Sequence, residues 1–240
     1  MEVHKPKPIH NWRELASEVG VIIVGIVIAL SAEQLLLGLE LREKVTRAEE
    51  QMRFEMANDD GPEVIQRIAL TECFSDAITG IRASIEGGSD RATVIAAIAL
   101  LDIPRHTFDS DAYHAAESAG ILSRFKPQRL DQWIYLYATM PVLDRVAERE
   151  YFDAASLHAI RSSGGPLSEL EQMKVLEAVE NLKRENRDIV VQAKQAYEAI
   201  KTIGIELAQP RMHQMLDEAL ERPAARPCVP KIKSMYDFRS

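Results

Sequence analysis

The chain has 240 residues and a formal net charge of −8, with 46% hydrophobic and 28% charged residues. That is an ordinary globular balance, long enough for one large helical domain or two small ones. The acidic excess argues against a nucleic-acid binder, which needs a basic face to neutralise phosphates, and against a body lying flat on anionic lipid.

Residues 1–18 read as a short lead of mixed charge, with Lys5, Lys7, Arg13, Glu2, Glu14 and Glu18. Residues 19–41 follow as a transmembrane helix. Val19 to Ala32 carries no charge, Glu33 and Gln34 interrupt, and Leu35 to Leu41 resumes the apolar run. A spanning helix needs roughly 20 apolar residues, and carboxylates near a helix end cost less than at the bilayer centre. Two other readings compete. Ala29-Leu30-Ser31 offers small residues for signal cleavage, although the leader is long and acidic. A buried core helix is the third, although Val21 to Leu30 is apolar on every face.

Along this helix Glu18, Ile22, Gly25, Ala29 and Glu33 recur at spacings of three and four and share a stripe. Gly25 and Ala29 form a small-xxx-small pair, which lets two backbones approach in lipid, with Glu18 and Glu33 at the ends of the stripe. These four are the candidate helix-contact residues, for self-association or docking on another membrane protein. Basic residues flank both ends, Lys5, Lys7 and Arg13 against Arg42, Lys44, Arg47 and Arg53. They nearly cancel under the positive-inside rule. The short basic tail leans inside, which places the acidic body outside.

Residues 42–221 form the body. Leu37, Leu41, Val45, Ala48, Met52 and Met56 continue the helical period, so one helix is expected from about residue 12 to Ala57. Asn58-Asp59-Asp60-Gly61-Pro62 then reads as its stop. A second helix is expected to about Ile85 with Val64, Ile68, Phe74, Ile78 and Ile81 inside, then a short one over Arg91 to Leu101. Asp109 to Gly120 is a candidate short helix. Gln128 to about Arg161 would be bent at Pro141. Ser162-Ser163-Gly164-Gly165-Pro166 is a loop, and Ser168 with Glu171 forms a capping box that opens a helix from Glu169 to about Leu207. Glu169, Glu171, Glu177, Glu180, Glu185 and Asp188 are interleaved with Lys174, Lys183, Arg184 and Arg187 there, which reads as a solvated, ion-paired face. Pro210 breaks that helix, and Arg211 to Leu220 is the last one. Residues 222–240, with Pro223, Pro227 and Pro230, read as an extended tail. No alternating pattern bounded by hairpin turns occurs. The fold class is all-α: the transmembrane helix continues into an antiparallel helical bundle.

Chemistry is sparse. Cys73 and Cys228 make no CxxC and no zinc spacing, and read as unrelated thiols unless the body sits in an oxidising compartment. None of the six histidines belongs to an HExxH. His106, Asp111 and His114 are the one conceivable metal set, and surface or boundary roles fit them better. No phosphate loop, dinucleotide fingerprint or nucleophile elbow is present. Tyr113, His114, Trp133 and Tyr137 could border a pocket for an apolar ligand, although aromatics at helical spacing are more often core. No cofactor is implied.

Asn11 to Gln34 (NWRELASEVGVIIVGIVIALSAEQ), with LREKVTRAEEQMRFEM after it, resembles the start of a widespread group of uncharacterised proteobacterial single-pass membrane proteins. Thr107 to Met140 (TFDSDAYHAAESAGILSRFKPQRLDQWIYLYATM) is similar to that group's mid-domain pattern. There an aromatic-bearing helix leads through a turn, here Ser118 to Leu122, to a Tyr-bearing helix, here with Tyr135 and Tyr137. Together these cover a little under a third of the chain. The sequence departs from the pattern at Glu33-Gln34, where a leucine run follows and a Trp often appears. The resemblance implies architecture only: a single-pass anchor in the bacterial inner membrane and a helical domain on one aqueous side. No catalytic residues come with it.

The expectation is a membrane-anchored, non-enzymatic scaffold or regulatory subunit whose partners are the bilayer and a protein, or a second copy, met through the transmembrane helix. A small-molecule-sensing helical domain on the same anchor is the alternative.

Overall fold

The computed structural model describes residues 12–162 and 165–221; the expected lead before Trp12, the tip of the Ser162–Pro166 loop and the expected tail lie outside them. Among the described residues every regular element is helical: α1 (Trp12–Glu55), α2 (Gly61–Glu86), α3 (Arg91–Ala99), α4 (Asp111–Ser118), α5 (Pro127–Leu157), α6 (Glu169–Ile203) and α7 (Gln209–Glu221). The chain divides into two units, residues 1–47 and 48–240.

In the first unit, α1 is exposed around its whole circumference. Val21 is 71% exposed, Ile28 64% and Leu35 70%, and neighbours on the other faces are similar. None of its most apolar stretch is buried. A core helix is apolar because its neighbours cover it, and among the described residues this stretch has no such cover, which disfavours the reading as a core helix. In the second unit the same helix turns amphipathic. Ala48, Met52 and Met56, four residues apart, are buried, while Glu43 with Arg47 and Glu40 with Lys44 pair along the solvent faces before it.

The expected stop at residues 58–62 does not occur. Met56–Asp60 forms a π-helical turn, and α2 begins directly at Gly61 with α-helical backbone angles. Gly61 N–H donates to Met56 O, five residues back. Pro62 has no N–H, so by the same spacing the Ala57 carbonyl is left without a helical partner. Ala208 N–H, from the segment after α6, donates to it at 2.9 Å. A breaker sequence thus becomes an opened hydrogen-bond slot in a continuing helix, and a second segment fills it. The lack of a side chain at Gly61 is required here. A Cβ would lie 2.3 Å from Met56 O and 2.4 Å from Leu207 Cδ2.

α2, α5 and α6 make the bundle. Arg67 meets Glu150 and Asn186, and Arg82 meets Glu180, so α6 runs antiparallel to α2. The 158–168 connection turns α5 back into α6. Their packing surface joins Leu157 and Ala154 to Val175, Ala178, Val179 and Leu182, with Phe74, Ile78 and Ile81 of α2 and Val94 and Ile98 of α3 in the same core. Helix ends follow local chemistry. Asp90 accepts from Thr93 N–H to cap α3. Ser168 and Glu171 form the expected capping box on α6. Gly204, at φ 74°, ends α6 in the left-handed region, three residues before the expected end. Pro141 lies inside α5. Between α3 and α4, residues 101–110 cross the bundle with no helix of their own.

Gly61→Ala should lower stability by about 1–3 kcal/mol through forced overpacking. Gly80→Ala on the same helix, where a Cβ meets nothing within 4 Å, should be neutral or stabilising by up to about 1 kcal/mol. Thermal unfolding of the two variants in detergent checks both.

Candidate functional site

Two regions carry the features that a functional reading needs. The first is the α1 stripe. Glu18, Gly25, Ala29 and Glu33 are all exposed, and a Cβ at Gly25 would meet nothing within 4 Å. The small-residue pair is therefore open to a second helix.

The second is the interior of the body. The proposed pocket residues do come together, but as packed rings. Tyr113 stacks on Tyr137 with centroids 4.8 Å apart, and Trp133 lies 5.9 Å from Tyr137. Trp133 is fully buried, and the Arg129 guanidinium sits 5.6 Å from its ring. Tyr137 OH donates to Glu55 Oε1 at 2.8 Å. His114 is exposed, beside Glu117. The larger hollows lie elsewhere. One of about 610 Å³ runs between α5 and α6, bordered by Tyr135, Lys194, Glu198 and Thr202. Among the described residues no three of His, Cys, Asp and Glu are placed to hold a metal. His106 is buried beside Glu63, apart from the exposed His114.

The feature that sequence reading missed is a line of buried polar groups through the bundle. Arg67, fully buried on α2, donates from Nη2 to Glu150 Oε1 at 2.5 Å and to Asn186 Oδ1 at 2.7 Å; Asn186 Nδ2 donates to Thr71 O at 3.1 Å. Its guanidinium also lies 5.0 Å from the Phe74 ring. Burial pushes the Glu150 carboxyl up and Arg67 draws it back down. Removing one partner of such a buried pair generally costs roughly 3–5 kcal/mol. Next to it on α6, Glu185 is buried rather than solvated, with Oε2 unpartnered among the described residues. Its pKa is raised to about 7, by burial first and then by the charges of Asp153 and Glu150.

The line continues towards the π turn. His106 Nδ1 is 3.4 Å from Glu63 Oε2, and His106 Nε2 has no partner among the described residues. Asp60, 1% exposed, accepts from Asp109 N–H through Oδ1 at 3.0 Å, and its Oδ2 has no partner among the described residues. Glu55 takes Tyr137 OH on one oxygen and Ala112 N–H, in the first turn of α4, on the other. Burial raises Asp60 to about 8. The Asp109 amide opposes this, and the Glu55, Glu63 and Asp109 charges add to it.

One signal for this line was present in the sequence. Arg67 follows Val64 by three residues and precedes Phe74 by seven, so it stands in the core register. Ile68, expected inside, is only partly buried. The Cys73 thiol also differs from expectation. Cys73 is buried and engaged in a disulfide, not a free thiol. The only other cysteine, Cys228, lies outside the described residues.

The chain matches no known family model, no curated protein and no solved structure.

Glu185 holds a proton in the folded state that the unfolded chain gives up at about its ordinary carboxyl pKa. Its contribution is therefore complete at low pH and is lost as pH rises from about 4.5 to about 7. Glu185→Gln should flatten the fall of stability with pH across that window. Chemical denaturation of both proteins at several pH values checks the slope.

Proposed function

We propose that this chain is a single-pass membrane protein whose helical body scaffolds or regulates another membrane protein, or a second copy of itself, without catalysing a reaction. The observation that carries the reading is the α1 surface, apolar and exposed on every face over the length that a bilayer needs. On that surface the Gly25–Ala29 pair offers close backbone approach, and Glu18 and Glu33 sit at its two ends. Association of helices in lipid rests on such packing, because lipid tails are as apolar as the side chains themselves.

Cys73 bears on the body's side. Disulfides persist in oxidising compartments and are rare in the cytosol. A disulfide at Cys73 supports a body on the periplasmic side of the inner membrane. The acidic body makes no demand for an anionic ligand. The aromatic cluster around Trp133 is filled by its own rings, which favours the scaffold over a ligand sensor at those residues.

Gly25→Leu should reduce crosslinking between copies, or to a membrane partner, by several-fold in intact membranes, while Gly38→Leu, off the stripe, should not. Equal crosslinking in wild type and Gly25→Leu would remove the helix-contact reading.

A further inference from the structure

α7 lies along α2 and runs in the same direction. Ala208 N–H, just before α7, donates to Ala57 O, and Gln66 Nε2 donates to Met215 O at 2.8 Å. Met212, Met215 and Gln66 are all buried. The α2 face that α7 covers is therefore the one that carries Gln66. Side chains seven residues apart on a helix point the same way, about two turns on. Cys73 stands seven residues after Gln66, on that same face. α7 ends six residues past Met215, at Glu221. With a rise of about 1.5 Å per residue in both helices, Glu221 comes level with α2 at about Glu72. Cys73 thus lies on the face that α7 covers, at the height where α7 stops.

Cys73 is 2% exposed and held in a disulfide. The sulfur it meets belongs to Cys228 or to a second chain, since the sequence has two cysteines. A disulfide needs Cα atoms within roughly 7 Å of each other, so two buried Cys73 residues could pair only if both cores opened. Cys228 follows Glu221 by seven positions, a reach of up to roughly 25 Å in extended chain.

We propose that Cys73 and Cys228 of the same chain form the disulfide, and that this bridge straps the far end of α7 to α2. It needs the oxidising side of the membrane proposed above, but not the α1 contact. Forming it takes one hydrogen from each thiol, two electrons and two protons in all, passed to a thiol–disulfide oxidant of that compartment. α7 is then fastened at both ends. Its start is held at the Ala57 carbonyl, its end by a covalent bond. The fastening answers a weakness of α7 itself. It has 13 residues, and isolated helices of about that length are marginal in water. The bridge also closes a loop that takes in α3, α4, α5, α6 and α7, which restrains the unfolded chain.

Peptide mapping tests the pairing. The full chain is purified in detergent with N-ethylmaleimide present from lysis onward, digested with trypsin without reductant, and run beside it on a non-reducing gel. The expected result is one linked pair, residues 68–82 with residues 212–231, from a chain that migrates as a monomer. The same pair from a linked dimer, or a Cys73–Cys73 or Cys228–Cys228 pair, would overturn the strap and leave the oxidising side standing. Alkylated thiols at both positions would overturn the strap and the compartment reading together. Hydrogen–deuterium exchange then reads the fastening. Exchange over Gln209–Glu221 should rise several-fold in Cys228→Ser while α5 peptides hold, and unchanged exchange in α7 would overturn its role. The mapping uses the wild type, so it decides even if Cys228→Ser fails to fold.

Discussion

A helix whose long side chains are apolar on every face from Val19 to Leu39, Glu33 and Gln34 apart, calls for surroundings other than water. Fully burying a large aliphatic side chain is worth about 1.5–3 kcal/mol. The exposed Val, Ile and Leu residues between Val19 and Leu39 together represent on the order of 20 kcal/mol or more of unmet burial. Marginal folding stability of about 5–15 kcal/mol could not sustain such a surface in water. The bilayer proposed above would supply the missing environment, and the backbone hydrogen bonds of a helix are already satisfied internally, as lipid requires. Past Leu41 the same helix changes character within two turns, from uniform apolarity to one buried stripe through Ala48, Met52 and Met56.

Continuity of the helix then depends on one irregular turn. The π geometry at Met56–Asp60 absorbs a Gly-Pro pair that would otherwise end it, and it redirects the Ala57 carbonyl to the segment after α6. The same turn places Asp60 against the strip before α4 and Glu55 against α4 and α5. A single local distortion thus meets the strip before α4, α4 itself, α5 and the segment after α6. Further along α2, Arg67 does comparable work in the core, where Glu150 and Asn186 share its guanidinium. Such a buried, charged junction adds less to stability than apolar packing would, but it accepts few alternative alignments of three helices.

Much of this architecture was legible in the sequence. Hydrophobic period marked all seven helices within a few residues, and Ser168 with Glu171 and the Gly and Pro positions marked several ends, because those signals act within one or two turns. What failed was chemistry whose meaning depends on distant residues. Asn58-Asp59-Asp60-Gly61-Pro62 reads as a stop unless one knows that Ala208 will take the released carbonyl and Leu207 will pack on Gly61. Glu185 reads as part of a solvated face because its neighbours along α6 are charged, yet it stands in line with Leu182 and Ile189. Tyr113, Trp133 and Tyr137 were recognised as one aromatic group, but whether rings border a space or fill it is decided by packing across α4 and α5. The α1 stripe was legible throughout, because only its own periodicity defines it.

The central claim is that α1 holds the chain in a membrane with its body in an oxidising compartment. The most direct test is to express the full chain, wash the membranes at alkaline pH, and denature the pellet with a mass-adding maleimide and no reductant. The account expects the chain in the washed pellet, unshifted without reductant and shifted after reduction, because Cys73 is bridged. Recovery of the chain in the soluble fraction, or full modification of its thiols before reduction, would contradict it.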